Sequence, residues 1–232
     1  MKLRKLLLAG VGVAIGVAGA RWASKTYQKA KAECPPFGKR VFRDANELIE
    51  AARVLWERPQ LVRSAHANPR LTSAFVSRIM LAVTGVNGCR YCSYAHTRAA
   101  LRVGIQREEA QALLQGDLAQ ATNDEAPALF FAQHYAETAG EPEADLLQRL
   151  VDEYGEATAR DILTLIRLIM IGNLLGNTFD ALVSRALGKP SPDSTLQGEL
   201  SVLATALFGL VPLAPVMAYR AHQPELALSA ES

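Results

Sequence analysis

Residues 156–188, EATARDILTLIRLIMIGNLLGNTFDALVSRALG, constrain this chain more than any other stretch. They read as one long apolar helix. The chain has 232 residues, enough for one medium domain with a real core plus additional segments. Half of the residues are apolar and only 6% are aromatic, a composition suited to helices rich in Ala and Leu. The net charge is +2 with both signs interspersed, which gives no basis for nucleic-acid binding.

Further helices precede the long one in sequence. DANELIEAARVLWERP places Leu48, Ile49, Ala52, Leu55 and Trp56 on one face at helical spacing, and Pro59 ends it. Residues 71–86 form a mostly buried helix, broken at Asn87-Gly88. The next helix runs to about Val103, with Gly104 suited to its C-cap. Three further helical segments follow: QREEAQALLQG; NDEAPALFFAQHYAETAG, with Asn123 expected as its N-cap; and EADLLQRLVDEYG. No strand-like alternation, dinucleotide-binding glycine pattern or P-loop is present, so the expected fold class is all-α. GKPSPDST reads as a linker before a last apolar run.

Both ends are apolar. Lys2, Arg4 and Lys5 precede a run from Leu6 to Ala20, with Ala18-Gly19-Ala20 as a possible cleavage site. Residues 1–24 therefore read as a cleaved signal or a retained membrane anchor, in which Gly12 and Gly16 would allow close helix approach. Residues 25–44 read as a linker. Near the C-terminus no charge falls between Glu199 and Arg220, and those 20 residues match a hydrocarbon core in length. Residues 199–220 are thus a candidate transmembrane helix, a buried core helix being the rival reading. A membrane-associated protein is expected. Arg21, Lys25, Lys29, Lys31, Arg185 and Lys189 favour a cytoplasmic-facing domain, while the basic N-terminus argues the other way.

The candidate chemistry lies in NGCRYCSYAHTRAALRVG, which carries Cys89, Cys92 and His96. Spacings of three and then four place all three on one helical stripe. A thiolate at the start of that helix is stabilised by unpaired N–H groups and by the helix dipole. The set supplies a nucleophile, a second sulfur able to resolve a sulfenic acid, and a proton carrier. Zinc would require a fourth ligand, for which His134 is the nearest candidate in sequence. Haem attachment would require His directly after the second cysteine, where Ser93 stands. A thioredoxin fold would require a βαβ context. A structural disulfide is open if the domain is exported. Cys34 stands alone before PPFG and receives no role. Asn173 and Asn177, one turn apart on the long helix, are expected in packing or a subunit interface. Asp180 and Arg167 are expected to satisfy each other or solvent.

VNGCRYCSYAHTRAALRVG resembles the signature of the AhpD-like alkylhydroperoxidases of the carboxymuconolactone decarboxylase superfamily. The resemblance extends over residues 70–187, taking in AVTGVNGC, ALFFAQHYAETAG and IGNLLGNTFDAL. It implies an AhpD-like helical bundle at residues 45–190 that assembles as a homo-oligomer. It further implies a thiol peroxidase in which Cys92 attacks the hydroperoxide, Cys89 resolves, and His96 relays protons. An unknown thiol reductant would regenerate the dithiol, with no bound cofactor or metal. The glutamate expected by the family pattern falls on Ser77, leaving Glu50 or Glu57 as spatial substitutes. Rival functions are a decarboxylase of lactone acids, which has no use for a dithiol, and a non-enzymatic membrane-anchored helical module with a regulatory cysteine pair.

Overall fold

The computed structural model describes residues 19, 20 and 22–223, and these are all-α, with no strand among them. Most of the 1–24 segment lies outside the described residues. Helix α1 occupies residues 22–33, so the first part of the stretch expected as a linker is helical and only 34–44 is non-helical. The Tyr27 hydroxyl donates to the Ala186 carbonyl (3.0 Å), which lays α1 beside the end of the long helix.

Helices α2 (Ala45–Glu57) and α3 (Gln60–Ala67) follow. Asp44 caps α2 by accepting from the Asn46 and Glu47 N–H groups, while Glu47 reaches back to the Arg43 N–H (2.8 Å). Leu48 and Leu55 are buried as the periodicity requires, but Ile49 is half exposed. The buried stripe is narrower than expected because α2 packs on only one side, against α8 and α9. Pro59 ends α2 and also begins α3, a helix with no strong sequence signal of its own.

At the centre stands α4 (Ser73–Asn87), packed against α5, α6, α7 and α8, with Ile79, Leu81, Ala82 and Val83 fully enclosed. Gly88 closes it at φ 63°, a left-handed position that glycine adopts without strain. Helices α5 (Arg90–Arg102), α6 (Arg107–Leu114) and α7 (Ala126–Glu137) then wrap α4. Helix α7 starts after Glu125, not at an Asn123 cap: Glu125 and Ala126 first donate their N–H groups to the Thr122 carbonyl, and this turn delays the helix.

Helix α8 (Ala144–Ala186) is broken at Gly155 (φ 75°), as the two separate segments in the sequence require. Its second part is the core helix, with Ile162, Leu165 and Ile166 essentially inaccessible. Helix α9 (Leu196–Ala204), a π-helical turn (Thr205–Leu210) and α10 (Val211–Ala221) form one rod after it. This rod does not leave the domain. At one end buried Glu199 accepts from Arg185 (2.8 Å). At the other, the Arg220 guanidinium lies over the Trp56 ring and donates to the Trp56 carbonyl (3.0 Å). The rod expected as a transmembrane helix is long and apolar enough to cross a membrane, and here its two polar ends are bound to the same domain.

Candidate functional site

Cys89 is the N-cap of α5, and its sulfur accepts from the Cys92 N–H (3.3 Å). Cys92 follows in the first turn, and the two are joined as a disulfide with a Cα–Cα distance of 5.3 Å. Their environments differ. Cys89 is completely buried, whereas Cys92 is partly accessible. His96 stands one turn beyond Cys92 and is half buried. Burial alone holds its pKa below the usual histidine value, so the ring is neutral at pH 7 and able to accept a proton.

The wall facing the sulfurs is α8. A Cβ added at Gly176 would stand 2.6 Å from Cys89 Sγ and 3.6 Å from Cys92 Sγ. Cys92 Sγ also lies 3.7 Å from the Gly172 carbonyl oxygen. The sulfur of Cys89 thus occupies the space a side chain at 176 would need, and any residue but glycine would displace it. Reasoning from sequence did not single out Gly172 and Gly176, although their spacing of four, within an apolar helix, is the signal of a close approach.

Beyond the glycines, buried amides join α4 to α8. Thr84 Oγ1 donates to Asn173 Oδ1 (3.2 Å), and Asn177 Nδ2 donates to the Asn87 and Arg40 carbonyls (2.8 and 3.0 Å). Both asparagines therefore serve packing within the chain. Asp180 and Arg167 do not meet. Asp180 binds Lys39 (2.8 Å) and Arg90 (2.5 Å), while Arg167 Nε donates to the Tyr135 hydroxyl (3.3 Å). They lie on different sides of α8, and the partners of Asp180 come from segments distant in sequence.

Ser77 is buried in α4, with its hydroxyl donated to the Ser73 carbonyl (2.8 Å). Glu50 and Glu57 are exposed on α2, each paired with Arg53. The lowered pKa of His96 comes from burial. His134, the candidate fourth zinc ligand, sits near the end of α7 and accepts the Glu143 N–H (3.4 Å). Among the described residues no three His, Cys, Asp or Glu side chains are grouped to hold a metal.

Residues 52–134 match the model of the carboxymuconolactone decarboxylase family. This family segment runs from within α2 to within α7 and contains Cys89, Cys92 and His96. It begins earlier than the motif resemblance implies, and it ends before α8, so Gly172 and Gly176 lie outside it. No curated protein and no solved structure matches the chain significantly.

Proposed function

We propose that this chain reduces hydroperoxides through the Cys89–Cys92 dithiol. The observation that carries the reading is the asymmetry of the pair: a partly accessible sulfur, joined to a fully buried one, with an imidazole one turn away. In the reduced state His96 takes the Cys92 proton. The Cys92 thiolate attacks the terminal peroxide oxygen, the O–O bond breaks, and the alkoxide takes up a proton to leave as alcohol. Cys92 is now a sulfenic acid. The Cys89 thiol attacks it, the S–OH bond breaks, the thiol proton goes to the leaving hydroxide to give water, and the disulfide closes.

The buried position of Cys89 also suits the reductive half. An external thiolate reaches only Cys92, and its attack expels Cys89 as thiolate. The leaving sulfur is stabilised by the Cys92 N–H and the positive end of α5. A second external thiolate then attacks the donor sulfur of the mixed disulfide on Cys92, which releases Cys92 as thiolate and leaves the donor as its own disulfide; the two cysteines take up protons to restore the dithiol. The decarboxylase reading leaves this pairing without a use.

Mixing the reduced protein with a hydroperoxide tests the reading. Two thiols should disappear per peroxide consumed, and Cys89→Ser should accumulate a dimedone-reactive sulfenic acid on Cys92. An adduct on Cys89 in Cys92→Ser, and none on Cys92, would reverse the assignment. Ser77→Glu should raise the rate if the carboxylate reaches His96.

A second reading concerns location. The rod Leu196–Ala221 is long and apolar enough to cross a membrane, yet only 6% of its most apolar stretch is buried. Phe208, Val211 and Tyr219 are each more than half exposed. We infer that this face lies on a bilayer surface, because the two polar ends of the rod stay bound to the domain. Floating the protein with vesicles tests attachment. Carbonate washing should then release it, whereas retention would mean that the rod has left the domain to span the bilayer.

A further inference from the structure

Arg167, Met170, Ile171 and Leu174 project from the face of α8 opposite Gly172 and Gly176. They line a cavity of about 900 Å³ that α2 and the end of α7 complete. The floor is apolar, lined by Met170, Ile171 and Leu174 of α8 and by Val54 of α2. One wall is cationic. Arg40 Nη2 donates to the Ala139 carbonyl (3.1 Å), and Arg167 Nε donates to the Tyr135 hydroxyl (3.3 Å). That hydroxyl packs 3.4 Å from where a Cβ of Gly140 would stand. Two guanidinium groups therefore converge on a single turn, residues 135–140.

Neither guanidinium is in an ion pair among the described residues, and Arg40 Nη1 is buried with no hydrogen-bond partner. Capping the end of α7 explains one nitrogen of Arg40 and leaves the other without a role. An unpartnered charged donor out of water is costly unless an anion satisfies it. Most carboxylates around the cavity are already engaged: Asp44 caps α2, Glu47 pairs with Arg43, and Glu50 pairs with Arg53. Glu141 stands exposed and pairs with neither arginine.

We propose that this cavity binds an amphipathic carboxylate, its head on Arg40 and Arg167 and its apolar body along Met170, Ile171 and Leu174. A carboxylate matches a guanidinium fork in geometry and charge, and the apolar floor requires a ligand with a hydrocarbon body. The site is independent of the thiol chemistry, since it occupies the other side of α8.

Displacement of the fluorescent fatty acid cis-parinarate from the full-length protein tests the proposal. Decanoate should displace it, while decanol and acetate, each with half of the required chemistry, should bind at least about tenfold more weakly. Arg167→Gln should weaken decanoate by about tenfold or more and leave decanol unchanged. Arg40→Lys, which keeps the charge and a donor to α7 but loses the fork, should weaken decanoate as well. Decanoate adsorbed on the exposed face of α10 would not respond to either substitution. Equal affinity for decanol and decanoate, wild-type affinity in both variants, or no binding at millimolar decanoate would overturn it. All of these readouts are independent of peroxide turnover.

Discussion

Two helical rods in this chain pass the same test of length and apolarity, and they behave in opposite ways. In α8, 56% of the most apolar stretch is buried, against 6% in the rod of α9 and α10. What separates them is the polar residues between the apolar ones. Within α8, Asn173, Asn177, Thr178 and Asp180 are all buried, and each finds a partner in another segment of the chain or in its own helix. Apolarity shows that a helix avoids water, and only matched polar groups show that protein surrounds it. The other rod has its one buried polar side chain, Glu199, at the end bound to the domain. Its middle has none.

The sharpest way to break this comparison is to place the same charge in both rods. Ile166→Asp puts a carboxylate at a fully inaccessible site and should cost more than about 4 kcal/mol, read as loss of the cooperative thermal transition. Gly176→Val drives a branched side chain into the Cys89 sulfur. It should cost about 2–3 kcal/mol in denaturant unfolding and shift the dithiol–disulfide equilibrium against a glutathione buffer. A stable Gly176→Val protein with unchanged thiol chemistry would mean that α8 is not the seat of the sulfurs.

A smaller effect should appear with pH. The folded pKa of His96 is lowered by burial, so the unfolded chain binds the proton more readily. Stability is then full above the ordinary histidine value of about 6.5 and is lost as pH falls through it towards the folded value. The melting temperature of His96→Asn should fall less than that of wild type between pH 7.5 and pH 5.5, about one unit either side of that value. An equal fall would sink the assignment. The smallest stability change should come from Phe208→Asp with Val211→Asp. Both sites are exposed, so the pair should cost below about 0.5 kcal/mol, yet it should abolish flotation with vesicles. If instead the double variant unfolds, the outer face of α10 is part of the core.

These differences show what a sequence makes legible. Breaks at Gly88, Gly104 and Gly155 can be read in advance, because a positive φ leaves few alternatives to glycine. The all-α class and the grouping of Cys89, Cys92 and His96 are legible too, since helix period and spacing are local. Helix α7 starts later than an Asn123 cap would place it because the Thr122 carbonyl accepts the Glu125 and Ala126 N–H groups. Helix α3 has a single fully buried residue, Ala65, and so carries little periodic signal. The partners of Asp180 were hidden for another reason. Lys39 and Arg90 lie far away along the chain, and only tertiary structure brings them to α8. The same holds for Arg40 and Arg167, whose convergence depends on the turn at residues 135–140.

The close seat at Gly176 ties two positions into one unit of variation. A methyl at 176 and a sulfur at 89 compete for one volume, so each substitution sets the tolerance of the other. Gly176→Ala alone is expected to be harmful, and Cys89→Ala should act as its second-site suppressor by vacating the space the new methyl requires. A lineage that abandoned its dithiol would then be free to acquire side chains at 176, and a glycine kept there would mark a chain still under selection for its sulfur.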